Sequence, residues 1–468
     1  MLFINGEWRP AESGATFDSV NPANGEIVGT AADGGVADVT AAVDAAAAAF
    51  GAWSTRTAYE RSAYLYQAYQ LVLERREALA KLMTEEQGKP IRMARAEVGY
   101  AADFLLWFAE EAKRVYGETI PSARADQRFL VLRQPVGVVG AITPWNYPVS
   151  MLTRKISPAL AAGCTIVVKP AEQTPLLAIE TFKIFEEVGL PQGVVNLVTT
   201  SQPETVAPAL VLHPEVRKIT FTGSTEVGKL IAQQAATQVK RVSMELGGHA
   251  PFVVFDDADP VHAAKGAAAV KFLNTGQACI CPNRMLVQRG IADEFLATME
   301  QRFTALKAGS GFTDGVTVGP LIDEAALAKM ERQVADALDK GARLVTGGAR
   351  LTDDGLDAGC FYAPTLLADV TPDMEIYREE TFGPIAPVIV FDTDDEAIAM
   401  ANDTEYGLAS YVYTTSLTRA FRAMEQLRFG MVGVNDINPT SAAAPFGGVK
   451  QSGLGIEGSR DGINEYLN

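Results

Sequence analysis

The chain has 468 residues, 48% of them hydrophobic, and a formal net charge of −17. Its length and hydrophobic content predict a globular protein of roughly two to four domains, and its acidity argues against nucleic acid and anionic membrane surfaces as partners. Four cysteines are too few for a disulfide framework, and three scattered histidines suggest no metal site. We expect a reducing, cytoplasmic location, since we find neither a signal peptide nor an apolar run of about 18 residues.

The first part of the chain predicts a hairpin and three helices. An Asn-Gly pair between apolar residues in Ile4–Trp8 is a hairpin signal. Apolar residues recur at helical spacing in the next three segments, Asp38–Trp53, Ala58–Glu86 and Ile91–Val115. Arg128–Leu132 is then predicted to be a strand.

From there on, short apolar strands alternate with helices of about 10–15 residues. The predicted strands are Val136–Ile142, Thr165–Lys169, Val194–Val198, Lys218–Thr222 and Arg241–Leu246. A second block has predicted strands at Phe252–Phe255, Met285–Gln288, Arg343–Val345, Ala386–Phe391, Ser410–Tyr413 and Met431–Val434. This alternation predicts parallel sheets in two α/β lobes that meet near Gly247, with ligands at the carboxyl ends of the strands.

Polar residues follow three of the predicted strands. Asn146 follows the first, where its amide could stabilise an oxyanion or form a turn. Lys169 and Glu172 follow the second and could bind ribose hydroxyls or form a surface ion pair. Glu245 ends the last strand between Met and Leu, and could be a general base with a raised pKa or a structural carboxylate.

The segment Thr-Gly-Ser-Thr-Glu-Val-Gly, at 222–228, lies where a predicted strand turns into a helix. Gly223 permits a tight turn, and Ser224 can cap a helix whose free N–H groups attract phosphate. The spacing matches neither a P-loop nor the dinucleotide fingerprint. An ordinary capped helix therefore fits as well as a phosphate site.

Two of the four cysteines lie one residue apart in Asn274–Arg284, after an alanine-rich helical run. A helix that ends at Asn-Thr-Gly and presents a thiol from the next loop could display a nucleophile at Cys279. A buried structural cysteine is the more common alternative. The segment alone leaves both interpretations open.

Together these motifs resemble the aldehyde dehydrogenase superfamily, in order and spacing, over nearly the whole chain. The matching segments are TPWNYP around Asn146, VVKPAEQTP around Lys169, FTGSTEVG around Gly223, MELGG around Glu245, GQACICPNR around Cys279, EETFGP at 379–384 and PFGGVKQSG at 445–453. The resemblance implies an α/β fold of two parallel lobes, a Rossmann-like cofactor domain and a catalytic domain, with a small oligomerisation β-extension. The implied NAD(P)-binding domain covers 1–117 and 136–247, the catalytic domain 248–439, and the oligomerisation segments 118–135 and 440–468.

By this resemblance Cys279 is the nucleophile that forms a thiohemiacetal with an aldehyde. The Asn146 amide and the Cys279 backbone N–H hold the oxyanion, hydride passes to the nicotinamide, and Glu245 activates the water that hydrolyses the thioester. Sulfur suits this cycle because it adds readily to a carbonyl and its thioester still reacts with water. Lys155 matches a family lysine near the active site, with Asn146 as its expected neighbour.

The resemblance also implies a dinucleotide site and no metal. The expected cofactor residues are Lys169 and Glu380 at the two riboses, Ser224 at the pyrophosphate, Phe382 beside the nicotinamide, and in addition Trp145, Glu172, Gly223 and Gly228. A carboxylate at Glu172 accepts a hydrogen bond from a ribose 2′-OH and repels a 2′-phosphate. We therefore expect NAD to be preferred, with NADP use also open.

Substrate choice depends on fewer residues. The Thr-Arg-Lys motif at Arg154, the Cys-x-Cys motif and the Gly-Val-Lys-Gln-Ser-Gly ending look like the succinate-semialdehyde dehydrogenase branch, where a guanidinium clamps the substrate carboxylate. Tyr147 and Ser441 match further substrate residues. Leu273 stands where this branch often has a second arginine, so glutarate semialdehyde and sulfonate- or phosphonate-bearing aldehydes stay open as substrates.

Three further expectations come from the resemblance. Cys281 could form a reversible disulfide with the nucleophile, or could simply fill the loop. A CoA-acylating dehydrogenase usually lacks the base at Glu245, and a non-catalytic relative would lack Cys279 or Glu245, so neither alternative is favoured. The expected assembly is a homodimer or homotetramer.

Overall fold

The computed structural model describes the whole chain, Met1–Asn468, which folds around two large β-sheets flanked by helices. One sheet has eight strands and the other seven, and two separate two-stranded sheets lie outside them. Both faces of each large sheet are covered by a buried apolar cluster, because successive side chains of a strand point to opposite faces. The predicted α/β fold with two parallel lobes is confirmed.

The first lobe begins with two hairpins and four helices. These elements are β1 (Leu2–Ile4), β2 (Glu7–Arg9), β3 (Thr16–Val20), β4 (Ile27–Ala32), α1 (Val36–Ser54), α2 (Ala58–Glu74), α3 (Arg76–Gln87) and α4 (Ile91–Glu111). The prediction of one helix over Ala58–Glu86 is wrong, because Arg75, with φ −90° and ψ 10°, interrupts it. No glycine or proline marks this break, so the local sequence carries no signal for it.

Helix α1 is long and apolar enough, by length and composition, to cross a membrane. In this structure its apolar side packs against the first sheet, with Val39, Val43, Ala46 and Trp53 buried. The Asp38 carboxylate accepts a hydrogen bond from Gly35 N at 3.0 Å and caps the start of the helix.

A hairpin and five parallel strands complete this lobe, with a helix between successive parallel strands. The strands are β5 (Glu118–Pro121), β6 (Arg128–Val131), β7 (Val138–Ile142), β8 (Thr165–Lys169), β9 (Val195–Leu197), β10 (Val216–Thr222) and β11 (Arg241–Glu245). The helices are α5 (Pro148–Ala162), α6 (Pro175–Glu187), α7 (Pro203–Leu212) and α8 (Thr225–Ala236).

The second lobe has a seven-stranded sheet. Its strands are β12 (Ala250–Val254), β13 (Pro282–Gln288), β14 (Arg343–Thr346), β15 (Thr365–Ala368), β16 (Ile385–Phe391), β17 (Ala409–Tyr413) and β18 (Met431–Val434). Its helices are α9 (Pro260–Lys271), α10 (Ala292–Thr304), α11 (Glu324–Asp339), α12 (Glu375–Arg378), α13 (Asp394–Asn402) and α14 (Leu417–Gln426). Strand β15 was not predicted, because four buried residues show neither alternation nor useful length.

The last strand, β19 (Gly453–Leu454), returns to the first lobe, where the order is β19-β11-β10-β7-β8-β9-β1-β2. Strands β11, β10, β7, β8 and β9 are parallel to one another. The register aligns Thr222 with Glu245 and Ile142 with Lys169. The carboxyl ends of four adjacent strands therefore meet at one edge of the sheet.

The two segments assigned to oligomerisation differ in their surroundings. Hairpin β5–β6 stands apart from both large sheets, with Phe129 and Leu130 exposed, Leu130 to 73%. The segment 440–468 packs on the first lobe, where β19 pairs with β11 and Leu467 pairs with Pro135. The domain boundaries and the role of both segments in assembly stay predictions.

Candidate active site

Four residues singled out in the sequence lie at the carboxyl edge of the first sheet. Asn146 follows β7, Lys169 ends β8, Gly223 follows β10 and Glu245 ends β11. Parallel strands joined by helical crossovers have their carboxyl ends on the same edge. The topology thus brings together residues that are far apart in the sequence.

The loop that carries Cys279 leaves α9 through a strained turn. A short 3-10 segment, Leu273–Gly276, precedes the loop, and Asn274, Thr275 and Gly276 have φ angles of 49°, 60° and 82°. Left-handed backbone at a non-glycine residue costs roughly 1–2 kcal/mol. Two such residues in succession require strong support from their surroundings.

Buried side-chain hydrogen bonds to the segment 319–322 supply this support. Thr275 Oγ1 accepts from Gly319 N at 2.9 Å. Gln277 Nε2 donates to Pro320 O at 3.3 Å, and its Oε1 accepts from Ile322 N at 3.0 Å. Thr275 and Gln277 are both buried, so water does not compete for these bonds.

Cys279 opens on a cavity of about 320 Å³ lined by both lobes. The lining residues include Tyr100, Tyr147, Arg154, Leu273, Cys279 and Phe446. The surrounding protein raises the pKa of the Cys279 thiol, first by burial and then through the charge of Glu380, while Arg154 opposes this. The thiol therefore needs a base to become a nucleophile.

Asn146 is buried beside the nucleophile's loop. Its Nδ2 donates to Gln277 O at 3.0 Å, and its backbone carbonyl accepts from Lys89 Nζ at 2.8 Å and from Asn274 Nδ2 at 3.0 Å. One N–H of the side-chain amide is committed to Gln277, and the second is free to donate. A fixed amide with a free N–H, held by the loop that carries Cys279, is the kind of donor that can stabilise an oxyanion.

Glu245 is buried, and neither of its carboxylate oxygens has a hydrogen-bond partner in the protein. Burial raises its pKa well above the ordinary value, and the charge of Glu457 adds to this, while Arg154 and Lys155 act against it. A buried carboxylate without partners is costly for stability and is typical of a functional site. A raised pKa makes its carboxylate a stronger base than an ordinary glutamate.

Lys155 is fully buried, and its hydrogen-bond partners are Glu457 and Thr220. Its Nζ donates to Glu457 Oε1 at 2.6 Å and to Thr220 Oγ1 at 3.1 Å, with no hydrogen bond to Asn146. The proximity of Asn146 to Lys155 stays a prediction. Glu457 could not be chosen from the sequence, because it lies 302 positions from Lys155.

Arg154 is only 2% exposed and lines the Cys279 cavity. Its guanidinium carbon lies 4.1 Å from the ring centre of Phe446 and 4.8 Å from that of Phe104. One terminal nitrogen donates to Tyr100 Oη at 2.9 Å, and Nε lies 3.5 Å from Glu457 Oε2. The aromatic rings desolvate the cation and orient it, which strengthens its attraction for an anion in the cavity.

The other expected substrate residues divide into two groups. Tyr147 and Leu273 line the Cys279 cavity, so an apolar side chain stands where a second arginine would be. Ser441 is exposed and lines a neighbouring cavity instead. In its place Asn438 and Thr440 line the Cys279 cavity, and no motif or periodicity pointed to either.

The adenosine side of the expected cofactor site lies at the end of β8. Lys169 is 4% exposed, and its Nζ donates to Glu172 Oε2 at 3.1 Å, while the Glu172 side chain is 35% exposed. Burial lowers the pKa of Lys169, and Glu172 opposes this. A shielded ammonium next to a reachable carboxylate offers both a donor and an acceptor for ribose hydroxyls.

The start of α8 supplies free backbone N–H groups nearby. Ser224 Oγ accepts from Val227 N at 3.3 Å and caps the helix. A Cβ at Gly223 would come within 2.5 Å of the Phe221 ring, so glycine keeps this turn tight. Gly228 faces Leu246, which points to close packing of α8 on β11.

The second lobe faces this edge with Glu380, Phe382 and their neighbours. Glu380 Oε1 accepts from Gly248 N at 2.8 Å, and burial raises its pKa. Phe382 has a strained φ of 53° and packs edge-on against Trp145, with ring centres 5.6 Å apart. Two carboxylates, one buried ammonium, a helix N-terminus and two aromatic rings fit a dinucleotide.

Residues 8–468 match the model of the Aldehyde dehydrogenase family. The chain belongs to the aldehyde dehydrogenase family. The match covers the site loops and both lobes.

Three curated relatives of this aldehyde dehydrogenase are about equally similar to it. They are the succinate-semialdehyde dehydrogenase [NADP(+)] GabD of Escherichia coli, 50% identical over 99% of this chain and 95% of its own; a glutarate-semialdehyde dehydrogenase of Pseudomonas putida, 49% identical over 99% and 95%; and a 3-sulfolactaldehyde dehydrogenase of Pseudomonas putida, 51% identical over 99% and 95%. Identity alone therefore does not distinguish these substrates.

A solved structure described as an Escherichia coli NADP dependent enzyme superposes with a TM-score of 0.98 and is 50% identical. The superposition covers 100% of this chain and 96% of the solved one. The two-lobed architecture is thus that of the aldehyde dehydrogenase family.

The second cysteine of the aldehyde dehydrogenase loop points away from the cavity. Cys281 is fully buried, and its Sγ donates to Val270 O at 3.3 Å. Burial raises its pKa to about 11. A disulfide with Cys279 would require this side chain to turn, so the redox switch stays a prediction.

Metal chemistry has no evident ligand set in this aldehyde dehydrogenase. No three His, Cys, Asp or Glu side chains of the chain are grouped so that they could hold a metal ion. Lys89 and Glu97, which also line the Cys279 cavity, and Glu457, which pairs with Lys155, were not predicted either, and only their position in the fold identifies them.

Proposed function

We propose that this protein oxidises a short anionic aldehyde to the carboxylic acid, using a nicotinamide dinucleotide, with succinate semialdehyde as the first candidate. One observation carries the proposal: Cys279 and the buried guanidinium of Arg154 line the same cavity of about 320 Å³. A nucleophile for the carbonyl and a cation for a carboxylate then serve the two ends of one small substrate.

The first step is addition of the Cys279 sulfur to the aldehyde carbon. The C–S bond forms, the thiol proton goes to a base, and the carbonyl π electrons become an oxyanion. The free N–H of Asn146 Nδ2 donates to this oxygen, because the other N–H is held by Gln277 O. One such donor contributes about 10²–10³-fold to the rate.

A bound nicotinamide dinucleotide would supply a hydride acceptor, for one proton with two electrons from this carbon. Cys279 would then carry the acyl group as a thioester. Glu245 takes a proton from water as the water oxygen bonds to the acyl carbon. The C–S bond then breaks, the acid leaves, and Cys279 recovers its proton. The free carboxylate oxygens of Glu245 support this role as base.

Lys169, Glu172 and Glu380 would hold the ribose hydroxyls of the dinucleotide, and the α8 start at Ser224 its pyrophosphate. Phe382 and Trp145 would confine the nicotinamide. In this proposal Tyr147 shapes the substrate end of the cavity. Gly223 keeps the phosphate turn tight, while Gly228 acts through packing on β11.

We propose that NAD is preferred to NADP, and Glu172 supports this. We expect kcat/KM to be at least about 10-fold higher with NAD, since a carboxylate beside a 2′-phosphate costs more than ~1 kcal/mol. Glu172→Gln should narrow the ratio mainly by raising kcat/KM for NADP. Saturation kinetics with both cofactors measure this, with Glu180→Gln, on the same lobe, as the control. An unchanged ratio in Glu172→Gln would show that the preference lies elsewhere.

Arg154 is proposed to clamp the substrate's acidic group. In Arg154→Ala we expect KM for succinate semialdehyde to rise by about 10²-fold or more, because truncating one partner of a buried charge pair costs ~2–5 kcal/mol. For butanal, similar in size but neutral, the increase should be below about 5-fold by the same reasoning. Steady-state kinetics on both aldehydes measure the ratio.

The control for this clamp is Arg114→Ala, since Arg114 pairs with Glu111 outside the Cys279 cavity. Loss of Arg154 also removes a neighbour of Glu457 and could lower kcat for both aldehydes. The ratio between anionic and neutral substrates isolates the clamp from that effect. Equal changes for both aldehydes would rule the clamp out.

Other short anionic aldehydes form the second candidate class. Relatives of the same similarity are named for glutarate semialdehyde and 3-sulfolactaldehyde. Leu273, on the cavity wall, leaves Arg154 as the cation proposed to select the acid group. A panel of succinate, glutarate, sulfonate and phosphonate aldehydes with both cofactors decides among them by kcat/KM.

We also propose that the chain forms a homodimer or homotetramer. Hairpin β5–β6 supports this, since Ile120, Phe129 and Leu130 are exposed on it. Exposed apolar side chains on a two-stranded sheet favour pairing with another surface.

A further inference from the structure

Lys89 lies against the candidate active site but belongs to none of the groups assigned to it. It follows α3 and is only 1% exposed. Its Nζ forms an ion pair with Glu97, donates to Asn146 O at 2.8 Å and lies 3.9 Å from the ring centre of Tyr147. An ammonium has three N–H groups; two of them donate to Glu97 and Asn146, and the charge also lies over the Tyr147 ring. Lys89 lines the cavity, and its hydrogen bonds go to the protein.

Glu97, the partner of Lys89 in this ion pair, also binds the start of helix α5. Its Oε1 accepts from Val149 N at 3.0 Å and from Ser150 N at 3.3 Å, in the first turn of α5. The carboxylate thereby satisfies N–H groups that a helix start leaves free. Lys89 and Glu97 together hold both ends of the loop from Asn146 to Ser150.

The Asn146 carbonyl is the point where three parts of the chain meet. It accepts from Lys89 Nζ and from Asn274 Nδ2, which comes from the left-handed turn before Cys279. The Asn146 side chain donates in turn to Gln277 O at 3.0 Å. The backbone of Asn146 is thus fixed by the ion pair on one side and by the nucleophile's loop on the other.

We propose that Lys89 is a positioning residue for the oxyanion site. Its ammonium, held by Glu97, sets the Asn146 peptide so that the free N–H of the side-chain amide points at the oxygen of the thiohemiacetal. A hydrogen bond from a charged donor is stronger and shorter than one from a neutral donor, so the Lys89 ammonium restricts the Asn146 peptide more tightly. A displacement of about 1 Å in a reacting geometry can lower the rate about 10²-fold. This inference rests on the proposed role of Asn146.

A double-mutant cycle tests it with Lys89→Met, Asn146→Ala and the double variant. We expect kcat to fall about 10–100-fold in Lys89→Met and about 10²–10³-fold in Asn146→Ala. If Lys89 acts through Asn146, the double variant is no slower than Asn146→Ala, within about 3-fold. KM for the cofactor should stay within about 3-fold in Lys89→Met, because Lys89 touches no cofactor residue.

Lys218→Met is the matched control. Lys218 is also fully buried in the first lobe, where it donates to Ser243 and lies 3.6 Å from Glu465, but it does not contact the Asn146 loop. Its removal should lower the melting temperature and leave kcat within about 3-fold of wild type, since it leaves the site geometry intact. If Lys89 had only a structural role, Lys89→Met would likewise lower the melting temperature and leave kcat nearly unchanged.

Two outcomes separate this inference from the proposed function. Losses in Lys89→Met and Asn146→Ala that multiply in the double variant would overturn the positioning role and leave the oxyanion role intact. An Asn146→Ala variant with wild-type kcat would overturn the oxyanion role itself. If Lys89→Met does not fold, Asn274→Ala removes the other donor to the same carbonyl. Its kcat loss should also vanish in the Asn146→Ala background, and wild-type kcat in Asn274→Ala would overturn the inference.

Discussion

In Cys279→Ser we expect kcat for aldehyde oxidation to fall on the order of 10⁴-fold or more, a loss typical of removing a nucleophile. A serine hydroxyl is a far weaker acid than a thiol, so the base that serves Cys279 cannot activate it comparably. Burial raises the pKa of the Cys279 thiol, so even the thiol is hard to deprotonate at this position, and a serine hydroxyl would be harder still. Initial-rate assays with saturating aldehyde and cofactor measure the loss.

The matched control is Cys281→Ser, two residues further along the same loop. Cys281 faces Val270 O, away from the cavity, so activity under reducing conditions should stay within about 3-fold of wild type. Mass spectrometry after brief alkylation should find the label on Cys279 and Cys360, since Cys281 and Cys164 are fully buried, and activity should be lost in step with the labelling of Cys279. Preferential labelling of another cysteine, with activity retained in Cys279→Ser, would refute the assignment.

The second large effect is expected in Glu245→Gln, which should accumulate the acyl-enzyme. Glutamine keeps the volume of the side chain but cannot take a proton from water, and general-base catalysis contributes about 10²–10⁴-fold. A rapid burst of one reduced cofactor per active site should therefore be followed by a very slow steady state. Stopped-flow absorbance at the nicotinamide band resolves the two phases. Loss of the burst itself would show that Glu245 acts earlier, on the thiol.

Glu245→Gln should also change how the rate of thioester hydrolysis and the melting temperature depend on pH. Burial raises the pKa of Glu245 above its ordinary value, so the carboxyl stays protonated to higher pH and the wild-type rate of thioester hydrolysis rises with pH. Glu245→Gln should lose this rise. Because the folded-state pKa of Glu245 is raised, the folded protein loses stability as pH increases through that pKa and the buried carboxyl ionises. A glutamine side chain cannot ionise, so the melting temperature of Glu245→Gln should exceed that of wild type at alkaline pH. Parallel melting curves at several pH values measure this gain.

Local patterns carried most of the fold prediction. Short apolar strands alternating with helices marked β7, β8, β10 and β11 within a few residues, because strands buried on both faces have a continuous apolar signature. The break at Arg75 and strand β15 were not predicted, since neither has a glycine, a proline or a change of periodicity in its own sequence. These elements depend on what packs against them.

The candidate site divides in the same way. Asn146, Lys169 and Glu245 could be singled out because they follow strands of a predicted parallel sheet, where ligands bind. Ser441 was expected at the substrate but is exposed outside the Cys279 cavity. A residue in an irregular loop has no periodicity to fix its direction, so only the folded chain shows where it lies.

The sequence by itself determined the fold class and the family, and it singled out Cys279, Asn146 and Glu245 as candidates for the chemistry, since motifs and strand order are local features. Only the tertiary structure showed which residues hold these candidates in place. Lys89, Glu97 and Glu457 reach the site across 52 to 302 positions of chain, and their charges gain meaning only from burial and from the partners beside them. Such contacts carry no local periodicity, because they depend on how separate elements pack and on which side chains that packing shields from water.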